Sequence, residues 1–353
     1  MKIALVGLGY WGEKILRNLV AICGPDAVVG ADLRRDRVEH LTRQYPGVAF
    51  SSDLSDALDD DQVRGVIIAT PVESHARLTA LALRAGRHVL VEKPLAATSA
   101  DAAKLAELAA SKGLNLMVGH TFLFSPRVKV LDDIINCGQI GHPHYVTTSR
   151  LNLGLYRSDI NVIWDLAPHD FSIIFHILGE FPTRVQTMAR SSVRPDIPDV
   201  AFINLIFASG VIASVVVSWR APRKVRTTVL VGDRGMIVYD DTKPDEPIKV
   251  YDRGVVTADS ASFGENQLTY RYGDTIAPHV PPKEPLLVEL EHFVDSVGTG
   301  APCRSDGWFG LEVVRALEAA DRSWRIGGRP IDIEQPGTYR VVPVEGVAAA
   351  GSG

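Results

Sequence analysis

The sequence predicts an α/β chain in two parts: a doubly wound parallel sheet, then an α+β domain on one mainly antiparallel sheet. Three observations lead there. Over the first 120 residues, short β-branched runs alternate with longer helical patterns, as in βαβ units. Beyond about residue 122, strand-like runs follow one another across short Gly-containing turns, as hairpins do. The chain has 353 residues, 46% apolar and 22% charged, a length that suits two domains and a composition that buries a large core.

The elements follow in order. Lys2–Val6 is a buried strand, and Trp11–Ile22 a helix ended by Gly24-Pro25. Strand 27–31 and helix 34–44 come next, with Pro46-Gly47 as the stop. Asp53 suits the N-cap of a short helix to Leu58. Strand 65–69, helix 74–85, strand 88–91, a helix capped by Thr98 or Ser99 and strand 115–118 complete the alternation. The grammar then changes. Helices are predicted at 127–136 and from near Asp165 to Leu178, where Gly179 supplies a left-handed stop. Strands follow at 184–189, 200–207, 211–218, 226–231, 235–239 and 248–251. Residues 253–285 are polar and Pro-containing and read as an irregular excursion; helices at 286–297 and 307–320 close the chain. The predicted division is a dinucleotide-binding domain at 1–121, a substrate-binding and oligomerisation domain at 122–345, and a disordered tail at 346–353.

Composition excludes several classes. The formal net charge of −5 argues against a nucleic-acid binder. Three scattered cysteines, Cys23, Cys137 and Cys303, make no disulfide framework and point to a reducing compartment. The start, Met1-Lys2-Ile3 running at once into glycines, is not a secretion signal. No apolar run approaches the ~20 residues that span a bilayer. A cytoplasmic protein with no membrane partner is expected. His142 and His144 lack Glu or Cys neighbours at ligand spacing, so no metal site is expected.

Three motifs carry chemistry. Gly7-Leu8-Gly9-Tyr10-Trp11-Gly12 follows a strand and opens a helix. There Gly7 permits a tight turn, Gly9 lets a pyrophosphate approach the backbone, and Gly12 allows close helix–strand packing. The helix N-terminus adds unpaired N–H groups for phosphate. Asp32, 20 residues past Gly12, is placed to accept bonds from the adenosine ribose. Together these predict a Rossmann domain holding a nicotinamide dinucleotide. Asp32 favours NAD; Arg34 and Arg35 leave NADP open, though both also suit a solvated helix start. The second motif, Glu92-Lys93-Pro94, ends a strand, where the ligand crevice of such a sheet lies. A lysine there can exchange a proton with a substrate hydroxyl, or can be a surface lysine in a βα loop. The third, Trp164-Asp165-Leu166-Ala167-Pro168-His169, opens a helix. Asp165 and His169 are four apart, on one side. His169 can move a proton and Asp165 can orient it or bind substrate; alternatively Asp165 is a cap and His169 a satisfied interface histidine.

Taken together, the glycine motif, Thr70-Pro71, Glu92-Lys93-Pro94, Gly119-His120 and Asp165…His169 resemble the glucose–fructose oxidoreductase/inositol dehydrogenase/MocA (Gfo/Idh/MocA) family from Lys2 to about Ala320. The resemblance implies a second domain with an open sheet used for dimer or tetramer packing. It also implies hydride transfer between a nicotinamide and a sugar or polyol carbinol carbon. Lys93 matches the catalytic lysine, and Asp165 and His169 match the acid/base and substrate pair. Thr70, Pro71 and His75 match the loop beside the nicotinamide ribose, which Glu92 flanks. Tyr10, Trp11, Leu33 and Arg34 complete the expected cofactor contacts. The stretch from Arg150 to Asp170 is similar to a subgroup of nucleotide-sugar 3-dehydrogenases and 3-ketoreductases. Ile163-Trp164 stands where the commoner pattern has Gly-Gly, so the substrate pocket is where this chain departs. His120, Arg150, Asn152, Tyr156, Arg157, Asn161 and Trp164 are the candidate substrate contacts, with a free polyol or inositol as the alternative substrate; each also fits a polar loop. The family includes a non-catalytic sugar-pathway repressor; the presence of Lys93, Asp165 and His169 argues for an enzyme.

Overall fold

The computed structural model describes residues 1–154, 156–157, 160–257 and 268–334. The predicted tail at 346–353 lies outside them. The chain divides into two compact units, Met1–Ser125 with Lys283–Glu318, and Pro126–Pro282 with the chain from Ala319 on.

The first unit alternates as expected: β1 Lys2–Val6, α1 Tyr10–Cys23, β2 Val28–Ala31, α2 Arg35–Gln44, β3 Ala49–Ser51, α3 Leu54–Leu58, β4 Val63–Ile68, α4 Val72–Arg84, β5 His88–Glu92, α5 Ser99–Ser111 and β6 Leu116–Gly119. All pairs are parallel, in the order β3-β2-β1-β4-β5-β6. The order reverses between β1 and β4, which opens a crevice at their carboxyl ends. Three-residue β3 is an edge strand the alternation did not predict; it is too short to show a period. Asp53 caps α3 and Thr98 caps α5, each accepting a backbone N–H.

The second unit opens with α6 Pro126–Asn136, β7 Pro143–Leu153, α7 Val162–Leu178, β8 Pro182–Arg190, β9 Val200–Phe207 and β10 Ile212–Ser218. It continues with β11 Arg220–Gly232, β12 Met236–Asp240, β13 Ile248–Thr257 and β14 Leu268–Ile276, and β15 Ile331–Asp332 follows later in the chain. The sheet order is β14-β13-β12-β11-β7-β10-β9-β8-β15, and α7 packs on β7, β9 and β10. Among the described pairs only β7–β10 is parallel.

Three expectations are corrected here. β7, central in the sheet, is not among the predicted strands: its inward positions include Thr148 and Arg150 beside Val146, so no apolar alternation marks it. The polar excursion holds the second half of β13 and all of β14, paired antiparallel at the sheet edge, where Tyr270 and Tyr272 are exposed and give the sequence no apolar pattern. The helices α8 Pro285–Thr299 and α9 Gly307–Arg325 were assigned to the second domain, yet α8 and α9 through Glu318 belong to the first unit. The face of α8 formed by Leu286, Leu290, Phe293 and Val297 is buried, and a side chain at Gly65 of β4 would meet Phe293 and Val297. Among the described residues no helix is long and apolar enough to cross a membrane.

Candidate active site

The crevice of the first unit is a cavity of about 680 Å³ lined by Gly7, Gly9, Asp32, Leu33, Arg34, Asp53, Thr70, Pro71 and others. The glycines shape it. Gly7 has φ +92°, and a Cβ there would stand 2.6 Å from the Ala69 carbonyl oxygen; at Gly12 it would stand 1.9 Å from the Gly7 oxygen. Only glycine permits α1 to start this close to the sheet. Gly9, the N-cap residue, meets nothing nearer than an Arg34 nitrogen at 3.9 Å, which leaves the helix N-terminus open to a pyrophosphate. Asp32 is fixed by bonds from Leu8 N (2.7 Å) and Arg34 N (2.8 Å) and by the Arg34 side chain. Burial works to raise its carboxyl, but these bonds outweigh it and hold the group below the usual carboxylate range. Arg34 is already paired with this carboxylate, so the pair presents a ribose-diol acceptor more readily than a phosphate clamp.

At the end of β5 a second group of residues gathers. The Lys93–Pro94 peptide is cis. Trp11 of the glycine motif donates its indole N–H to Glu92 Oε1. The other end of the Glu92 carboxylate lies over Gly119, where a Cβ would meet Oε2 at 3.3 Å. Two residues on, Thr121 donates to Glu289 Oε2 at 2.8 Å. Glu289 is 1% exposed, and its Oε1 has no hydrogen-bond partner. Burial, and next the Glu92 carboxyl, push Glu289 well above the ordinary range; burial pushes Glu92 up to about 7 against the pull of Trp11 and Lys93. Between them, His120 is buried with neither ring nitrogen bonded, edge-on to Phe309. Burial, and then the Lys93 charge, bring His120 down to about 3. Burial thus favours the neutral forms of Glu289 and His120, and the Trp11 bond ties Glu92 to the dinucleotide loop.

In the second unit α7 begins three residues before Asp165. Asn161 is its N-cap, accepting from Ile163 N (3.0 Å) and Trp164 N (3.2 Å) while its amide donates to Asp321. Pro168 therefore stands in the second turn rather than the first, and its missing N–H leaves the Trp164 carbonyl without a helical donor. Of residues 161–170, Trp164, Asp165, Leu166 and His169 are half-buried and the others buried, and Asp165 and His169 lie one turn apart. Asp165 Oδ2 accepts from the indole N–H of Trp219 at 2.9 Å, and Arg157 stands 3.8 Å from Oδ1. Tyr156 meets the Trp219 ring edge-on at 5.7 Å.

A model described as an oxidoreductase family with an NAD-binding Rossmann fold matches residues 1–120, and the GFO/IDH/MocA C-terminal domain model matches 128–238. The chain belongs to the Gfo/Idh/MocA family. It is 26% identical to the myo-inositol 2-dehydrogenase of Thermotoga maritima, across 92% of this chain and 96% of the relative. It is likewise 26% identical to the UDP-N-acetylglucosamine 3-dehydrogenase of Acidithiobacillus ferrooxidans, across 90% and 95%. The structure of GenD2 from gentamicin A biosynthesis, solved with NAD, superimposes with a TM-score of 0.78 at 25% identity, covering 95% of this chain and 96% of that one.

As a Gfo/Idh/MocA oxidoreductase, the chain keeps the predicted cofactor residues Gly7, Gly9, Asp32, Leu33, Arg34, Thr70 and Pro71 around one cavity. Other predicted contacts serve differently. His75 is buried, its nitrogens 2.9 and 2.8 Å from the carbonyls of Pro94 and Thr70, so it ties two loops together rather than facing the cavity. His120 is 1% exposed, too deep for a substrate contact. Arg150 is buried and grips Asp170 through two bonds (2.7 and 3.2 Å), which takes its guanidinium away from any diphosphate. Asn161 is spent as the cap. Asn152 and Tyr156 remain beside Trp219, with Asn152 Oδ1 and Tyr156 Oη buried and unbonded. Sequence reasoning missed Glu289 and Trp219. Glu289 carried a signal, an acid in the buried register Leu286, Leu290, Phe293; Trp219, between two strands, carried none.

Proposed function

We propose that this oxidoreductase moves a hydride between NAD and a secondary alcohol or ketone of a sugar, with a nucleotide sugar as the preferred class. The observation that carries the reading is the half-buried Asp165–His169 pair on α7 in a chain that also places Lys93 at the carboxyl end of β5. The glycine cradle and Asp32 fit the cofactor, which supplies the hydride acceptor when bound. Lys93 or His169 takes the hydroxyl proton as the carbinol hydrogen leaves as hydride, and the reverse holds in reduction. Asp165 orients the imidazole or the substrate hydroxyl. Asn152, Tyr156 and Trp164 are the contacts we assign to the sugar. The equal identity to the inositol dehydrogenase supports a second reading, a free polyol substrate. The second unit also offers a sheet face for a second copy of the chain: the exposed residues include Met188 facing Phe202 and Ile212 facing Tyr145 across adjacent strands.

The test is NADH formation or consumption with UDP- and TDP-sugars against myo-inositol and free hexoses. Turnover confined to nucleotide sugars supports the first reading and turnover confined to polyols the second. Tight NAD binding without turnover on any of them overturns both in favour of a sensor. Light scattering after gel filtration tests the dimer or tetramer, which a monomer at micromolar concentration would refute.

A further inference from the structure

We propose that Trp219 is a positioning residue that sets the orientation of the Asp165 carboxylate; the inference rests on the reading that Asp165 serves the substrate. Trp219 sits at the corner between β10 and β11. β7 and β10 are parallel, so Leu153 and Ser218 reach the same edge of the sheet, as the register pair Ser218↔Leu151 records. Side chains that follow both strands collect there, as they do at the carboxyl ends of any parallel pair.

The indole is held from several sides. It is 1% exposed. Its backbone N–H donates to the Asp199 carbonyl (3.0 Å) and its carbonyl accepts from Gly154 N (2.9 Å). Ser218 Oγ also donates to the Asp199 carbonyl and accepts from Arg220 N, which braces both neighbours of the tryptophan. Tyr156 packs on its edge. At Gly154 a side chain would come within 3.2 Å of the indole Cδ1 and 3.1 Å of Asn152 Oδ1, so the chain passes closely over the ring.

An indole N–H only donates. It can neither take the substrate's proton nor compete with Asp165 for one. A clamped donor 2.9 Å from Oδ2 therefore does one thing: it holds the carboxylate in a single rotamer. Asp165 stands one helical turn before His169, so a fixed Asp165 fixes what the imidazole and the substrate hydroxyl meet. The ordinary alternative is that Trp219 is core packing and Asp165 merely satisfies its N–H.

A double-mutant cycle separates the two. Trp219→Phe keeps the ring and removes the donor; Asp165→Asn keeps the shape and removes the charge. On the sugar that the wild type oxidises with NAD, Asp165→Asn is expected to lower kcat about 100-fold. Trp219→Phe is expected to lower it about tenfold, with NAD affinity unchanged. On the Asp165→Asn background, Trp219→Phe should cost less than about twofold, because residues acting as a unit are not additive. A tenfold loss on both backgrounds, or no loss from Trp219→Phe while Asp165→Asn is costly, overturns the inference. An Asp165→Asn enzyme with wild-type turnover, or a wild type that oxidises none of the sugars, instead removes the functional reading beneath it. Should Trp219→Phe not fold, ¹⁵N spectra of the five indole N–H groups decide the matter. One resonance should move in Asp165→Asn; five unmoved resonances refute the contact.

Discussion

Two clusters, one in each unit, bury ionisable groups in opposite ways. In the second, Arg150 and Asp170 are buried as a bidentate pair, and Asp241 takes bonds from Arg127, Arg226 and Tyr239. In the first, Glu289 is buried with one oxygen unbonded, and His120 beside it has neither nitrogen bonded. Pairing makes the Arg150 and Asp170 charges compatible with burial, whereas burial pushes the half-bonded Glu289 carboxyl toward its protonated form. Arg150 reads as a substrate contact in the sequence, and its bonds to Asp170 turn it inward; Glu289, absent from the sequence reading, stands out only through its burial.

The largest effect expected from breaking this contrast is at Lys93, whose charge acts on both Glu92 and His120. Lys93→Ala should lower kcat by about 10²–10⁴-fold while calorimetric NAD affinity holds. A matching loss of affinity would recast the lysine as a cofactor clamp. Next comes the paired cluster: Arg150→Ala leaves Asp170 buried and uncompensated and should destabilise the protein by about 3–5 kcal/mol in urea unfolding. Replacing both residues with apolar ones of similar volume should recover most of that loss, and a cost under about 1 kcal/mol for the single change would dissolve the contrast. Asp32→Ala should weaken NAD about tenfold and narrow its margin over NADP, since the acceptor for the ribose and the anchor of Arg34 go together. Unchanged dinucleotide preference would show the ribose contact to be elsewhere.

The smallest effect sharpens the comparison through pH. Glu289 and Glu92 have folded-state pKa values raised above the ordinary 4.5. The folded protein therefore keeps protons that the unfolded chain releases, and this contribution is full below about pH 4.5 and is lost as pH rises toward 7 and beyond. His120 works the other way. Its depressed value supports the fold above about pH 6.5 and withdraws that support as pH falls toward 3. Glu289→Gln should accordingly flatten the decline of the melting midpoint above pH 4.5 by a few degrees. Wild type and variant falling in parallel would mean that Glu289 is ionised in the fold.

Much of the first unit was legible because its signals are local. A strand covered on both faces is a continuous apolar run, and a glycine that must accept φ +92° or a Cβ collision at 1.9 Å can be nothing else. The start of α7 was less so: Asp165 and Asn161 are both good caps, and the choice between them depends on Asp321, 160 residues away, which anchors the Asn161 amide. β7 escaped because Thr148 and Arg150 point inward, and Arg150 does so only because Asp170 awaits it.

By itself, the sequence determined the alternation of the first sheet and the dinucleotide loop with Asp32, since each depends on neighbours within a turn or a strand; Lys93, Asp165 and His169 stood out through the family resemblance. Only the tertiary structure decided that α8 returns to the first unit, that Glu289 reaches Thr121, and that Trp219 meets Asp165. Those outcomes depend on long-range burial. Whether a polar group is charged, neutral or merely bonded is settled by residues brought to it from far along the chain.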